Sequence, residues 1–430
     1  MENFQYLQLR LDIQKQFGGP LDKQSHLKLL VTNIESTTKK NIGFNTLRRF
    51  FGFLSYTSPN INTLNILSQY LGFSNYSTYQ KIKNKDDDWF NWNQIIKIEL
   101  SERITEDDIK WLQTQINTYD YHLKIASIFK TLIYRKKYQS LNTFLDPRIF
   151  DFEEPERLKI ASNICLLFRS LDSITLKEIL KIVSVNKTFR ENTIHWFIDY
   201  SYFNGYYGEI IKEAKKQVLQ DSHELLFYDL ILNLDNYLSC KNNLEPIYLD
   251  RIKPDFFVVL KGRCYGYNLI YFKDKNDISN YEITWNKLIN EIKNTKEIHL
   301  FTIEIFPALI LIKDIEKTTY LINNFYEELL TVENWSGYAF QALILLVQSI
   351  QLINENKIKE ATVSFEIISL SKFSLSNIDY ISLFYYIVEY KIGKSNNISI
   401  DKLKEIESKY VNIVNRTGFK RFTSKFLKEY

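Results

Sequence analysis

The side chains that most often do chemistry are thinly spread through this chain. His26, His122, His195, His223 and His299 are its five histidines. No two lie within one helical turn, and HExxH and HxH spacings are absent. The sequence therefore offers neither a two-histidine metal grip nor a paired imidazole base. Cys165, Cys240 and Cys264 form no CxxC and no metal spacing. Each lies in or beside an apolar run, as expected of buried thiols in a reducing compartment. Two acidic runs occur, Glu153-Glu154 and Asp86-Asp87-Asp88. Adjacent carboxylates at a helix start favour the positive end of its dipole, whereas an acid–base pair needs two different environments. No GxxxxGK[ST], GxGxxG or GxSxG loop is present. These observations predict a protein that is not an enzyme and holds no cofactor and no metal.

The cations are distributed more tellingly. Residues 1–85 hold eleven Lys/Arg against four Asp/Glu, a net of +7. Residues 86–415 hold 39 against 46, a net of −7, and the last fifteen hold five against one. A basic head and a short basic tail flank a mildly acidic body, although the whole chain carries only +4. Such a head suits a polyanion. Within it, Asn45, Arg48 and Arg49 fall on one outward face of a short amphipathic helix whose apolar stripe is Leu47, Phe50, Phe51 and Leu54.

Four helices should position that face. The first, with Phe4, Leu7 and Leu11 inward, stops at Gly18-Gly19-Pro20. The second is capped by Asp22 or Ser25, buries Leu27, Leu30, Val31 and Ile34, and ends at Asn41-Ile42-Gly43. Lys28, Thr32, Glu35 and Lys39 share its opposite face. The third begins at Asn45 or Thr46. After a loop from Tyr56 to Asn60 with Pro59, a fourth is capped by Asn62 or Thr63, turns Ile61, Leu64, Leu67 and Leu71 inward and ends at Gly72. Tyr76 and Tyr79 close the bottom.

Thr46-Leu47-x-Arg49, then Pro59, then Thr63-Leu64-x-x-Leu67-x-x-x-Leu71-Gly72 resembles the later helices of the phage-repressor-type helix-turn-helix family. The likeness covers about residues 44–73. It implies that the helix bearing Asn45, Arg48 and Arg49 enters the DNA major groove. These would be its reading side chains, Arg toward guanine and Asn toward adenine. Lys28, Lys39 and Lys40 would meet phosphates, a salt-sensitive contribution blind to sequence.

The remainder reads as stacked helices. Gly and Pro number 12 and 7, under half of the roughly 12% of an average protein, which favours long helices over turn-rich strands. Hydrophobic residues are 45% of the 430, too many for a disordered chain and enough for more than one core. An apolar pattern also returns every forty residues. Ile303, Phe306 and Ile310 recur as Leu343, Leu346 and Ile350, then as Leu383, Tyr386 and Tyr390. Tyr281 and Trp285 recur as Leu321 and Phe325, then as Ala361 and Phe365. Stacked two-helix units explain this, since one pair cannot bury its apolar face alone. The predicted pairs start near 120, 157, 189, 223, 256, 297, 336 and 377. Pro155, Pro246 and Pro254 sit near helix ends, and Pro307 should kink or break a helix. A last helix, Phe419 to Tyr430, should cap the stack.

Asn356-Lys-Ile-Lys-Glu-Ala361 followed by Phe365 resembles the start of the second helix of a tetratricopeptide repeat. That likeness implies a curved surface for a peptide or protein partner. The reading is all-α: a small helical domain (1–85), a docking segment (86–118) packed by Trp89, Trp92 and Trp111, and a tetratricopeptide-like α-solenoid of antiparallel pairs (119–430). The N-terminus has no signal-peptide pattern, and the longest apolar run, Tyr338 to Ile353, contains three Gln. A cytoplasmic protein without a membrane span is expected. The functional expectation is a DNA-binding regulator whose repeat body senses a peptide or partner, or mediates homodimerisation. The alternative is an interaction scaffold whose head does not bind DNA.

Overall fold

The computed structural model describes the chain except residues 1–5, 56, 84–85, 117, 119, 151–155, 219–222, 253–257, 296 and 331–336. Phe4, Tyr56, Glu153, Glu154, Pro155 and Pro254 lie outside the described residues, as do the side chains of Asp86, Asp87 and Asp88. The described residues form helices and no strand. They divide into two compact units, Met1–Leu100 and Ser101–Tyr430. The division falls after residue 100 rather than after 85, so the expected docking segment is split between the two units.

The first unit holds α1 (Leu7–Phe17), α2 (Gln24–Thr38), α3 (Phe44–Phe50), α4 (Ile61–Tyr70), α5 (Tyr76–Lys83) and α6 (Asp86–Leu100). Leu9, Ile13, Leu27, Leu30, Ile34, Leu47, Phe50, Leu64 and Leu67 make its core. Helix α1 turns Leu9 and Ile13 inward and leaves Leu7 exposed, a different face from the expected one. Gly18 ends α1 at φ 89°, where glycine alone carries no side-chain penalty. Three expected caps differ. Lys23, not Asp22 or Ser25, precedes α2 without a side-chain bond. Gly43 precedes α3. Asn60 caps α4, its Oδ1 accepting from the Thr63 N–H at 2.8 Å, which leaves Ile61 exposed. Trp89 and Trp92 of α6 are exposed rather than packed, and Trp111, in the second unit, is half-buried.

The second unit opens with α7 (Glu106–Thr114), closed by a reciprocal Thr105–Asp108 capping box. Next come α8 (Tyr121–Tyr134), α9 (Tyr138–Phe144), α10 (Glu156–Phe168), α11 (Ser173–Val183) and α12 (Lys187–Phe189), which passes into a wide turn over Arg190–Ile194. Then follow α13 (Tyr206–Lys215), α14 (His223–Leu238), α15 (Val258–Asp274) with α16 (Ile278–Asn294), and α17 (Ile298–Leu311) with α18 (Ile315–Leu330). The unit finishes with α19 (Gly337–Asn354), α20 (Ile358–Glu366), α21 (Ile378–Ser395), α22 (Ile400–Thr417) and the short α23 (Ser424–Glu429). Helix α14 has no α-helical partner among the described residues 241–252.

One turn recurs throughout this unit. Helices α8, α14, α15, α17, α19 and α21 are followed by Lys136, Cys240, Asn276, Lys313, Asn356 and Asn397, with φ between 53° and 59°. In each case the next N–H reaches back to a carbonyl five residues earlier, as Asp314 does to Leu309 at 3.0 Å and Lys357 to Leu352 at 2.8 Å. This satisfies a terminal carbonyl and, at every one of these turns but that of Cys240, brings the chain into the next helix within three residues. From 276 to 313, 356 and 397 the steps are 37, 43 and 41 residues, so forty is only their mean. The positions equivalent to Tyr281 and Trp285 are Thr318 and Ile322, one turn before Leu321 and Phe325. All six of those side chains are buried, because a shift of three residues keeps the same helix face. Helix α17 runs unbroken through Pro307, and the non-helical dihedral falls instead at Phe325 in α18 (φ −133°).

The C-terminal segment enters the core. Only Ser424–Glu429 is helical, while Phe419 and Phe422 are buried against Tyr380, with Phe422 also against Phe384. The Asn204 side chain donates to the Thr417 carbonyl at 2.7 Å, and the Arg421 N–H to that of Leu238 at 2.9 Å. Helices α15 and α17 cross where Gly262 and Gly266 admit the other backbone. A Cβ on Gly262 would stand 2.5 Å from the Phe301 carbonyl oxygen. Gly262→Ala should therefore force the two helices apart and lower stability by about 1–3 kcal/mol, measured by thermal unfolding followed by circular dichroism. An unchanged midpoint would contradict this crossing.

Candidate nucleic-acid interface

The basic face of the first unit is built in two parts. The connector 39–43 leaves α2 through Lys39, at φ 57°, and leads into α3. Phe44, in the first turn of α3, carries the Lys28 ammonium 5.9 Å from its ring centroid and the Arg48 guanidinium at 5.6 Å. Lys28 stands ten residues, about 15 Å, before the end of α2. The start of α3 therefore lies beside the N-terminal half of α2 and not at its C-terminus. Arg48 Nη1 donates to Asn45 Oδ1 at 3.2 Å. The structure thus brings Lys28 and Arg48 to one ring and Asn45 to Arg48. Asn45 and Arg49 are exposed, and Arg48 is half-buried.

The second part was not legible as a site. Lys39 and Lys40 line a surface cleft of about 510 Å³ together with Asn41 and, from α4, Asn62, Asn65, Ile66 and Gln69. No carboxylate lines it. Asn65 Oδ1 accepts from the Tyr76 N–H at 2.9 Å, and Gln69 Nε2 donates to the Ser74 carbonyl at 2.9 Å. The available signal was the amide spacing 62, 65 and 69, one face of a helix.

Charge pairing differs between the basic face and the arginines of the second unit that meet carboxylates. Lys28, Lys39, Lys40, Arg48 and Arg49 have no carboxylate partner among the described residues. In the second unit, Arg148 pairs with Glu106 and Asp146, Arg169 with Asp199, Arg190 with Glu224, and Arg251 with Asp229. Arg263 pairs with Glu304. Three cations of the basic tail are paired in the same way, Arg416 with Asp379, Arg421 with Asp274 and Lys428 with Glu407.

Three polar clusters of the second unit are constructional. Asp199 accepts both Arg169 bonds at 2.8 Å and the Tyr206 hydroxyl at 2.7 Å. Burial pushes its carboxyl up against the pull of those donors. Arg169 also donates to the Leu375 carbonyl, at 2.9 Å. Glu304 accepts from Arg263 and from the Tyr200 hydroxyl, beside a space of about 20 Å³ that Pro307 and Tyr380 help line, room for one water. His195 Nε2 lies 3.2 Å from the Tyr228 hydroxyl, which donates to Glu224. Cys165 and Cys264 are buried, but Cys240, expected to be buried, is exposed at its left-handed turn. Among the described residues no three His, Cys, Asp or Glu side chains gather as a metal site, and no described helix is long and apolar enough to cross a membrane.

Comparison with protein-family profiles, with curated proteins and with solved structures gives no match.

Burial, opposed by Glu224, pushes the His195 imidazole down to about 4. The folded state holds this ring neutral, so its contribution is full above the unfolded value near 6.5 and is lost as pH falls toward 4. Chemical denaturation at pH 7 and pH 4.5 should show wild type losing on the order of 2 kcal/mol more than His195→Gln. Equal losses would contradict a neutral, half-buried His195 ring in the folded state.

Proposed function

We propose that this protein is a DNA-binding regulator that meets duplex DNA through residues 1–100, while residues 101–430 take a protein partner or mediate dimerisation. One observation carries the reading. Five cations on α2, α3 and the connector between them are left without carboxylates among the described residues, whereas Arg148, Arg169, Arg190, Arg251, Arg263, Arg416 and Arg421 of the second unit each face one. Exposed unpaired Lys and Arg release counterions when they meet phosphates, which gives binding its main sequence-independent free energy. Lys28 and Lys39 stand eleven residues apart along α2, about 16 Å. That spacing is comparable with the ~12 Å width of the major groove, so the two side chains suit phosphates on its opposite walls. The Phe44 ring faces both the Lys28 ammonium and the Arg48 guanidinium, and Lys28 is exposed.

For the body, the outward faces of the second helices fit a partner better than its interior does. Ile283 on α16, Tyr320 and Tyr326 on α18, and Val363 and Ile367 on α20 are exposed. Side-chain packing fills the space beside Glu304 to within one water. A scaffold that binds no DNA is the second reading. It is favoured by Trp89, Phe90, Trp92 and Ile96, which leave one apolar face of α6 exposed.

Fluorescence anisotropy of the intact chain on a 20-base-pair duplex should show log affinity falling linearly with log salt. Lys39→Ala with Lys40→Ala should reduce the slope by about 1–2. Lys404→Ala, on the body, should leave it unchanged. Affinity that does not change between 50 and 200 mM salt would decide for the scaffold.

A further inference from the structure

We infer that α4, rather than α3, presents the base-reading side chains, and that they select A·T-containing duplex. This rests on the reading that residues 1–100 bind DNA. Asn62, Asn65, Ile66 and Gln69 occupy positions i, i+3, i+4 and i+7 of α4, and all four line the cleft that Lys39, Lys40 and Asn41 also line. The cleft is furnished with amides, ammonium groups and one aliphatic side chain.

Each component has a counterpart on an A·T pair. A side-chain amide sets a donor beside an acceptor, the complement of adenine N7 and N6, and Ile66 offers apolar surface to the thymine methyl. Two of the amides are already fixed in place. Asn65 is held by the Tyr76 N–H and Gln69 by the Ser74 carbonyl, so less rotamer freedom is lost on binding. Each keeps the other half of its amide for a single contact, so the paired contact to adenine falls to Asn62. Asn62 is exposed in the first turn of α4 and makes no side-chain hydrogen bond among the described residues, so it can offer both halves. Lys39 and Lys40 supply the phosphate contacts that set the helix in register.

Helix α3 is less suited to reading. It has seven residues. Its Arg48 is half-buried over Phe44 and spends a donor on Asn45, which in turn spends its acceptor. The same atoms cannot also make the paired contacts that distinguish bases. Arg48 and Arg49 then serve the phosphate backbone.

The test is selection of the intact chain on a random-sequence duplex library, followed by anisotropy. The enriched duplex is compared with one whose enriched A·T pairs are replaced by G·C. Wild type should prefer the first by about ten-fold or more. Asn62→Ala with Gln69→Ala should abolish most of that preference while changing affinity for random duplex less than about three-fold. Asn62→Ala alone, which disturbs no hydrogen bond of the fold, should remove part of it. Arg48→Ala with Arg49→Ala should weaken both duplexes alike. Preference that survives the α4 changes, or that is lost only with Arg48 and Arg49, overturns this inference and leaves DNA binding standing. Absence of duplex binding by wild type overturns both.

Discussion

Guanidinium–carboxylate pairing is the constraint on which the second unit depends. A charge taken out of water must find a partner, because an uncompensated buried charge costs several kcal/mol. Asp199 sits in the protein interior, and Arg169 answers it with two bonds while holding the Leu375 carbonyl. The Tyr200 N–H donates to the Ser376 carbonyl at 3.0 Å, and the Tyr200 ring stacks on Tyr380 at 5.0 Å. One buried pair thus ties α10 and the segment before α13 to the entry of α21. Arg263 and Glu304 do the same across the glycine-lined crossing of α15 and α17. Such pairs fix geometry as much as they stabilise it, since both partners must arrive together.

The head is organised on a different basis. Its core of Leu, Ile, Phe and Tyr needs no ion pair, and its unpaired cations lie on the outside. Net charge from sequence points to both the head and the tail, but three of the tail's cations find carboxylates elsewhere in the second unit. Arg416, Arg421 and Lys428 face carboxylates 21 to 147 residues away in sequence, which no local reading can anticipate. The functional proposal therefore rests on charge left over after folding and not on charge counted along the chain.

Much of the fold was legible because helical periodicity is a local signal. The expected pair starts near 120, 157, 223, 297, 336 and 377 fall within a residue or so of α8, α10, α14, α17, α19 and α21. Register was less legible. The uneven steps between left-handed caps average to forty, and a helix face looks much the same three residues on. In the head, Asn60-Ile61-Asn62-Thr63 offers three capping residues in four positions. Burial of Leu64 and Leu67 selects Asn60, frees Asn62 and puts Ile61 outside. The cleft could not be read in advance, since residues 39–41 and 62–69 meet only through tertiary packing. The Phe44 grouping was hidden for the same reason, the connector 39–43 returning the chain along α2.

Everything turns on location: the unpaired cations of α2, α3 and their connector, with the amide face of α4, meet the polyanion, and residues 101–430 do not. Amide hydrogen exchange of the intact chain, followed by mass spectrometry with and without a 20-base-pair duplex, addresses it directly. Exchange should slow in segments 39–49 and 61–70 and stay unchanged across 101–430. Protection confined to the second unit, or none anywhere at saturating duplex, would contradict it.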